Sequence, residues 1–349
     1  MRIGIVSRWN ATCGVAVHAE IIAAELEKMG HSVEVYAPTV ESASKDWHHK
    51  MIKPEDEDNV DRCYIEETDT GFYCSLQDLD AVIIEGYSRL PVKALGDQVS
   101  AARRRGAATL MILHEGEPAH AARLLKHVPV DHVAVFDERW ISEILYPLRD
   151  VFEARIHVVP YPCMEPLTRQ PYRPEFAEGR KLIVSFGRQP LEEYTDYIRA
   201  LTMIQDEEDF VYWVIRSDGP LAFRKPWLRV SYARLSTKDV HSILLGADLH
   251  LLPKGWTRRV VLSSTIYMTI ATLTPIIAPY TRYTEDIQVD EEGYGPIVKY
   301  LRVEELAGKI RRLLRDYELR SRVRAMARRF AEERSAGRVA GRLASILTQ

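Results

Sequence analysis

Arg2-Ile-Gly-Ile-Val-Ser7 opens the chain, and Lys181-Leu-Ile-Val-Ser-Phe-Gly-Arg188 opens its second half in the same manner. The first run leads into a loop with Cys13 and Gly14 and then an amphipathic helical pattern. The second also leads into a helical pattern. A short apolar run followed by a helical period is how a buried parallel strand and its crossover helix look in sequence. Two such openings predict an α/β fold of two doubly wound Rossmann-like domains. Open α/β sheets bind ligands outside the carboxyl ends of their strands. The expectation is therefore a two-domain enzyme that closes on a substrate in a central cleft.

From the first run outward, residues 19–30 read as a helix ending at Gly30, and residues 32–36 as the next strand. Residues 39–76 are polar and acidic, with Glu55-Asp56-Glu57-Asp58 and Glu66-Glu67. They read as a surface excursion, with a lid or acceptor-binding loop as the alternative. Strands are expected at 80–85, 109–114, 132–136 and 155–160, and helices at 91–105 and 138–146. Residues 165–179 are rich in proline and charge and read as a linker. The second half alternates strands at 181–186, 210–215, 228–231, 247–252, 275–278 and 296–298 with helices, and residues 303–347 read as helical. The domains expected are 1–164, the linker 165–179, and 180–330. A last helix, 331–349, packs back on the first domain.

The bulk numbers narrow the class. A chain of 349 residues can bury two cores, and 46 % hydrophobic residues is ordinary for a globular protein. No apolar run reaches the ~18–20 residues of a membrane span. Residues 1–6 read as a core strand rather than a leader, so no signal peptide is expected. Cys13, Cys63, Cys74 and Cys163 lack Cys-x-x-Cys spacing and read as reduced thiols of a cytoplasmic protein. A net charge of −3 gives no general attraction to nucleic acid or anionic lipid. Arginines recur at helical spacing from Arg311 to Arg342. They read as a solvated face, or as a peripheral contact with the inner membrane surface to which Arg103-Arg104-Arg105 adds. No aromatic-plus-basic module points to nucleic acid.

Taken in order, several short motifs resemble glycosyltransferases of the GT-B fold, family 4. They are Arg2-Ile-Gly-Ile-Val with Gly14 and His18, Gly30-His31-Ser-Val-Glu-Val, Leu113-His114-Glu115, Val158-Val159-Pro160 and Phe186-Gly187-Arg188. Ala247-Asp248-Leu249-His250-Leu251-Leu252-Pro253, Thr274-Pro275-Ile276-Ile277-Ala278 and Gly295-Pro296-Ile297-Val298 complete the set. The resemblance runs nearly end to end. It implies transfer of a sugar from a nucleotide-sugar donor with retention of configuration, with no cofactor and no obligatory metal. The chain departs from the pattern at three places. The family's Glu-x7-Glu pair falls on Val260 and Met268, and the lysine that accompanies its Gly-Arg arginine falls on Glu193.

Candidate site residues follow from position and chemistry. Arg188, just after a strand, suits a departing diphosphate, against a surface salt bridge as the bland reading. Gly14 before a helix lets backbone N–H groups approach a phosphate or sugar, or is a turn glycine. Lys254, Arg258 and Arg259 are candidate replacements for the missing lysine. Ser263 and Ser264 add hydroxyls at an expected helix start. By the resemblance, His114 contacts the donor sugar; otherwise it is a structural strand-end histidine. His18 and Glu117 are assigned to the acceptor side, against an ordinary helix histidine and a loop carboxylate. His114-Glu115-Gly116-Glu117-Pro118-Ala119-His120 lacks the His-Glu-x-x-His spacing, and Gly116 and Pro118 argue against a helix there, so no metal is expected. The leading function is nucleotide-sugar-dependent glycosyl transfer to a glycan, lipid-linked or small-molecule acceptor. One alternative is a non-catalytic relative that binds a partner glycosyltransferase or a glycan. The other is a different GT-B enzyme, an epimerase or phosphorylase.

Overall fold

The computed structural model describes residues 1–44 and 59–349. The acidic run 55–58 lies outside them. The chain divides into two compact units. The first comprises Met1–Pro162, Arg259–Ser264 and Arg334–Gln349; the second comprises Cys163–Arg258 and Thr265–Glu333.

In the first unit the order is β1 (Arg2–Val6), α1 (Gly14–Lys28), β2 (Ser32–Pro38), α2 (Val40–Ser44), β3 (Val60–Tyr64), β4 (Ala81–Gly86), α3 (Val92–Arg104), β5 (Ala108–Leu113), α4 (Pro118–His127), β6 (His132–Val135) and β7 (Arg155–Val158). The strands form one sheet, β3-β2-β1-β4-β5-β6-β7, in which every neighbouring pair is parallel. Ile3, Ile5 and Val6 of the opening run are fully buried in its middle. Their apolar side chains leave no face for solvent, as a sheet covered on both sides requires.

The second unit holds β8 (Lys181–Gly187), α5 (Thr195–Ile204), β9 (Phe210–Arg216), β10 (Leu228–Tyr232), α6 (Thr237–Gly246), β11 (Leu249–Leu251), α7 (Ser264–Thr269, from Thr265 on), β12 (Ile276–Pro279), β13 (Val298–Tyr300), α8 (Val303–Arg315) and α9 (Tyr317–Glu333). Its sheet, β10-β9-β8-β11-β12-β13, is again parallel throughout. One core joins Ile183, Tyr212 and Leu251 of the sheet to Tyr197, Leu201, Leu306 and Ile310 of the helices. The last helix, α10 (Ala336–Ile346), belongs to the first unit and packs on α1.

Several expectations need correction. Cys63 and Cys74 form a disulfide with Cα atoms 5.6 Å apart, so only Cys13 and Cys163 are free thiols. The pair is brought together because the chain doubles back, with Tyr64 bridged antiparallel to Phe72. The excursion is also not wholly superficial. It supplies edge strand β3, and Tyr64, Phe72 and Leu76 are buried. Glu66 is buried as well, where both oxygens accept from Arg8. A helix does begin at Pro118. Proline is suited to the first helical position, where its missing N–H costs nothing. The helix expected at 138–146 is present, and its residues 140–145 are π-helical. The proline-rich stretch read as a linker is docked on the second unit. The Leu167 N–H donates to His241 Nδ1 at 3.0 Å, and Arg173 donates to the Gly246 carbonyl at 2.7 Å. No helix among the described residues is long and apolar enough to cross a membrane.

Candidate functional site

The candidate residues fall into two clusters, one in each unit. In the first unit, β4 is buried along its whole length, yet it carries a carboxylate at Glu85. Parallel pairing to β5 sets Glu85 beside Ile112, near the carboxyl ends of both strands. There Glu85 binds two imidazoles. His18 Nδ1 of α1 lies 2.8 Å from Oε1, and His114 Nε2, just beyond β5, lies 2.5 Å from Oε2. Aromatic rings hold the imidazoles in place. Phe136 lies 5.0 Å from His114 between ring centres, and Tyr161 lies 5.0 Å from His18. The Tyr161 hydroxyl donates to the Gly14 carbonyl at 2.7 Å. Burial works against the Glu85 charge, but the two imidazoles outweigh it and hold the carboxyl down at about 2. Burial also lowers His114, against the pull of Glu85. We read the set as an ionised carboxylate held by two imidazoles, with burial favouring the neutral form of His114.

These three side chains are a His2Glu set with ligand atoms within 4.8 Å of one another. A tetrahedral ion with bonds of ~2.0–2.1 Å spreads its ligands to about 3.3 Å. The observed 2.8 and 2.5 Å are hydrogen-bond distances instead.

Most of the other first-unit candidates meet protein groups. His18 is 1 % exposed, so it meets Glu85 and not solvent. Glu117 pairs with Arg259, and its other neighbour is His120 Nδ1 at 3.5 Å. Val260 is buried, and its N–H donates to the Gly116 carbonyl at 3.1 Å. A Cβ on Gly116 would lie 1.7 Å from the Val260 carbonyl oxygen, so only glycine permits this approach. At Gly14 a Cβ would stand 3.1 Å from Ser264, which places that glycine and serine against each other. Ser263 is buried with its Oγ unpartnered among the described residues.

In the second unit, Arg188 follows β8 and Lys254 follows β11, both at carboxyl ends. Adjacent pairing of these strands brings the two loops together. Lys254 keeps some exposed surface, yet burial lowers its ammonium pKa. Glu193 opposes that shift and Arg188 adds to it. Thus Glu193, at the position of the family's lysine, is the counter-charge of Lys254. Burial raises Glu193, while Lys254 and the Gly255 N–H pull it down. Lys254 also lies 5.1 Å from the Tyr283 ring centre. Arg258 lies over the ring of Trp256, which is 73 % exposed. Met268 contributes only its carbonyl, which His241 Nε2 meets at 2.7 Å.

The residues assigned to donor binding are divided between the two units. Arg188, Lys254 and Arg258 belong to the second unit; Gly14, Arg259, Ser263 and Ser264 belong to the first. Sequence reading missed Glu85, although a single carboxylate ending the apolar run 81–84 was a visible signal. It also missed Phe136 and Tyr161, whose role depends on packing. A cavity of about 1120 Å³ opens at the amino ends of β5, β6 and β7 and contains none of the candidates.

No family model matches the chain. Its fold does match solved structures over its full length. Trehalose-6-phosphate synthase OtsA superposes with a TM-score of 0.68 at 14 % identity, covering 100 % of this chain and 99 % of that one. HepE of Anabaena, solved with UDP, gives 0.65 at 11 % identity, covering all of both chains. Sucrose-phosphate synthase of Thermosynechococcus elongatus gives 0.64 at 12 % identity, covering 100 % and 98 %. The chain has the α/β fold of these GT-B glycosyltransferases.

Proposed function

We propose that the protein transfers a sugar from a nucleotide-sugar donor to an acceptor, with retention and without a metal ion. The observation that carries this reading is the Arg188–Lys254–Glu193 cluster at the strand carboxyl ends of the second unit. Arg188 and Lys254, two cations at neighbouring strand ends, suit a nucleoside diphosphate. Arg188 and Lys254 bind the donor diphosphate and stabilise charge as it leaves. Lys254 supplies the charge that Glu193 cannot. Those two cations do the electrostatic work that a bound metal would otherwise do. His114 positions the sugar. HepE was solved with UDP-glucose and OtsA with UDP-2-fluoroglucose, which makes uridine donors the first to try. A lipid-linked acceptor at a membrane surface belongs to the same proposal. Its support is the recurrence of arginine at helical spacing from Arg311 to Arg342, and sedimentation with anionic vesicles tests it.

The test is a thermal-shift and calorimetric screen against UDP, GDP, ADP and dTDP and their sugars. A ligand that binds only the folded state stabilises it by about 2.7 kcal/mol at a hundredfold excess over Kd. One base is expected to shift the melt. Lys254→Ala and Arg188→Ala are each expected to weaken that binding tenfold or more, an expectation that a charge-assisted contact of ~1.5–3 kcal/mol supports. A cooperative melt that no nucleotide shifts would sink the reading. The second reading, a non-catalytic glycan- or partner-binding relative, is favoured by Val260 and Met268, which offer no carboxylate. Glycan binding without release of nucleoside diphosphate would establish it.

A further inference from the structure

The His18–Glu85–His114 cluster is buried beyond what the proposed chemistry uses. Glu85 is 0 % exposed, and its hydrogen-bond partners among the described residues are the two imidazoles. We propose that Glu85 is a positioning residue: it holds His114 in the Nε2–H tautomer and thereby makes Nδ1 an acceptor for a ligand hydroxyl.

An ionised carboxylate can only accept hydrogen bonds, so each ring nitrogen facing it carries a proton. A neutral imidazole has one N–H. With that proton on Nε2, His114 Nδ1 keeps its lone pair. Among the described residues Nδ1 has no hydrogen bond, and His114 is the one imidazole of the pair that retains exposure, 11 % against 2 % for His18. A positive charge on His114 would face the His18 ring at short range and be buried among aromatic rings. The two imidazole centres lie 5.3 Å apart, and Phe136 packs against each ring. A neutral acceptor among aromatic rings repels phosphate and carboxylate and suits a hydroxyl on an uncharged ring, whose C–H faces lie well on aromatic surfaces. That the hydroxyl belongs to a donor sugar rests on the glycosyl-transfer reading; the tautomer does not.

Histidine labelled with ¹⁵N reports the tautomer directly, with His114→Gln used to assign its signals. The wild type is expected to show His114 protonated on Nε2 and bare on Nδ1 at pH 7. Glu85→Gln keeps the shape but not the chemistry. Its oxygen accepts from one ring and its NH2 donates to the other, so one imidazole must move its proton. Glu85→Asp keeps an acceptor-only group and is expected to leave the tautomers as they are. A wild-type His114 protonated on Nδ1, or doubly protonated, overturns the proposal. So do unchanged tautomers in Glu85→Gln, and so does one equivalent of zinc that the wild type retains through dialysis and Glu85→Gln loses. If Glu85→Gln fails to fold, the wild-type spectrum still decides.

A second arm compares affinities for UDP-glucose and UDP, with the GDP, ADP and dTDP pairs if uridine fails. Glu85→Gln is expected to weaken the sugar nucleotide about tenfold and to leave the bare diphosphate unchanged. Equal loss for both would reduce Glu85 to a structural role. A wild type that binds no nucleotide overturns the glycosyl-transfer reading and leaves the tautomer result standing.

Discussion

His250 shows how one residue can be legible as a motif and opaque as chemistry. It lies in β11, fully buried and stacked on Phe186 with ring centres 5.2 Å apart. Among the described residues neither ring nitrogen has a hydrogen-bond partner. Burial, reinforced by nearby Lys254, depresses it to about 3 from its ordinary 6.5. The unfolded chain takes up a proton as pH falls below 6.5, whereas the folded one resists until about 3. Stability from keeping this ring neutral is therefore lost across that window. His250→Leu is expected to remove that part of the acid sensitivity. It should also stabilise the protein at pH 7 by about 1 kcal/mol, because a buried unsatisfied polar group costs ~1–3 kcal/mol. Urea unfolding at pH 7 and pH 4 checks both; a destabilised variant at pH 7 would show that the ring has a partner it needs. Glu85 has the same sign at lower pH. Its carboxyl is held at about 2 against an ordinary 4.5, so its contribution is whole above 4.5 and drains away as pH falls towards 2.

At the scale of elements, the excursion between β2 and β4 departs most from its sequence reading. A polar composition hid buried side chains such as Tyr64, Phe72 and Leu76 and a disulfide that closes an 11-residue separation. In the chain-entropy account a loop of that size contributes about 2–3 kcal/mol. Reducing the protein is expected to lower its stability by that amount. Alkylation of the unfolded, unreduced protein is expected to label two of the four cysteines, since Cys13 and Cys163 are buried in the fold; four labels would show that the pair is open. The segment at Gly116 makes a second prediction. Gly116→Ala forces a Cβ to within 1.7 Å of the Val260 carbonyl, so the backbone must part. We expect a loss of about 2 kcal/mol or more, in the range of strongly overpacked sites. Chemical denaturation measures it, and a neutral variant would mean that the Val260 segment is not held there. Val260 is itself buried in the first unit.

At the scale of the molecule, each unit is assembled from distant pieces of chain. The first takes Arg259–Ser264 and Arg334–Gln349 in addition to its own sequence. Removing residues 334–349 strips α10 from α1 and is expected to lower the melting of the first unit while the second keeps its transition. Scanning calorimetry of the truncated chain tests this; a uniform loss across both transitions would mean that the units do not unfold separately. The arginine-rich tail also has local employment. Arg311 pairs with Glu207, Arg312 with Glu292 and Arg315 with Glu208, and Arg320 donates to the Leu313 carbonyl at the end of α8.

The sequence by itself determined the alternation of strands and helices in both halves. Apolar runs such as 2–6 and 181–186 have few places to go except the middle of a covered parallel sheet. It also placed Arg188, His114 and Lys254 at strand ends, because a residue that follows a buried strand emerges at its carboxyl edge. Only the tertiary structure decided what these residues meet. Glu85 binds His18 and His114 because pairing of β4 with β5 and packing of α1 carry three distant side chains to one point. Glu193 serves Lys254 because β8 and β11 are neighbours in the sheet. Val260 and the Cys63–Cys74 pair depend in the same way on contacts between segments that local periodicity does not encode. Spacing along a chain fixes which face of an element a side chain occupies, while the charge it meets there comes from elements that only the folded sheet brings alongside.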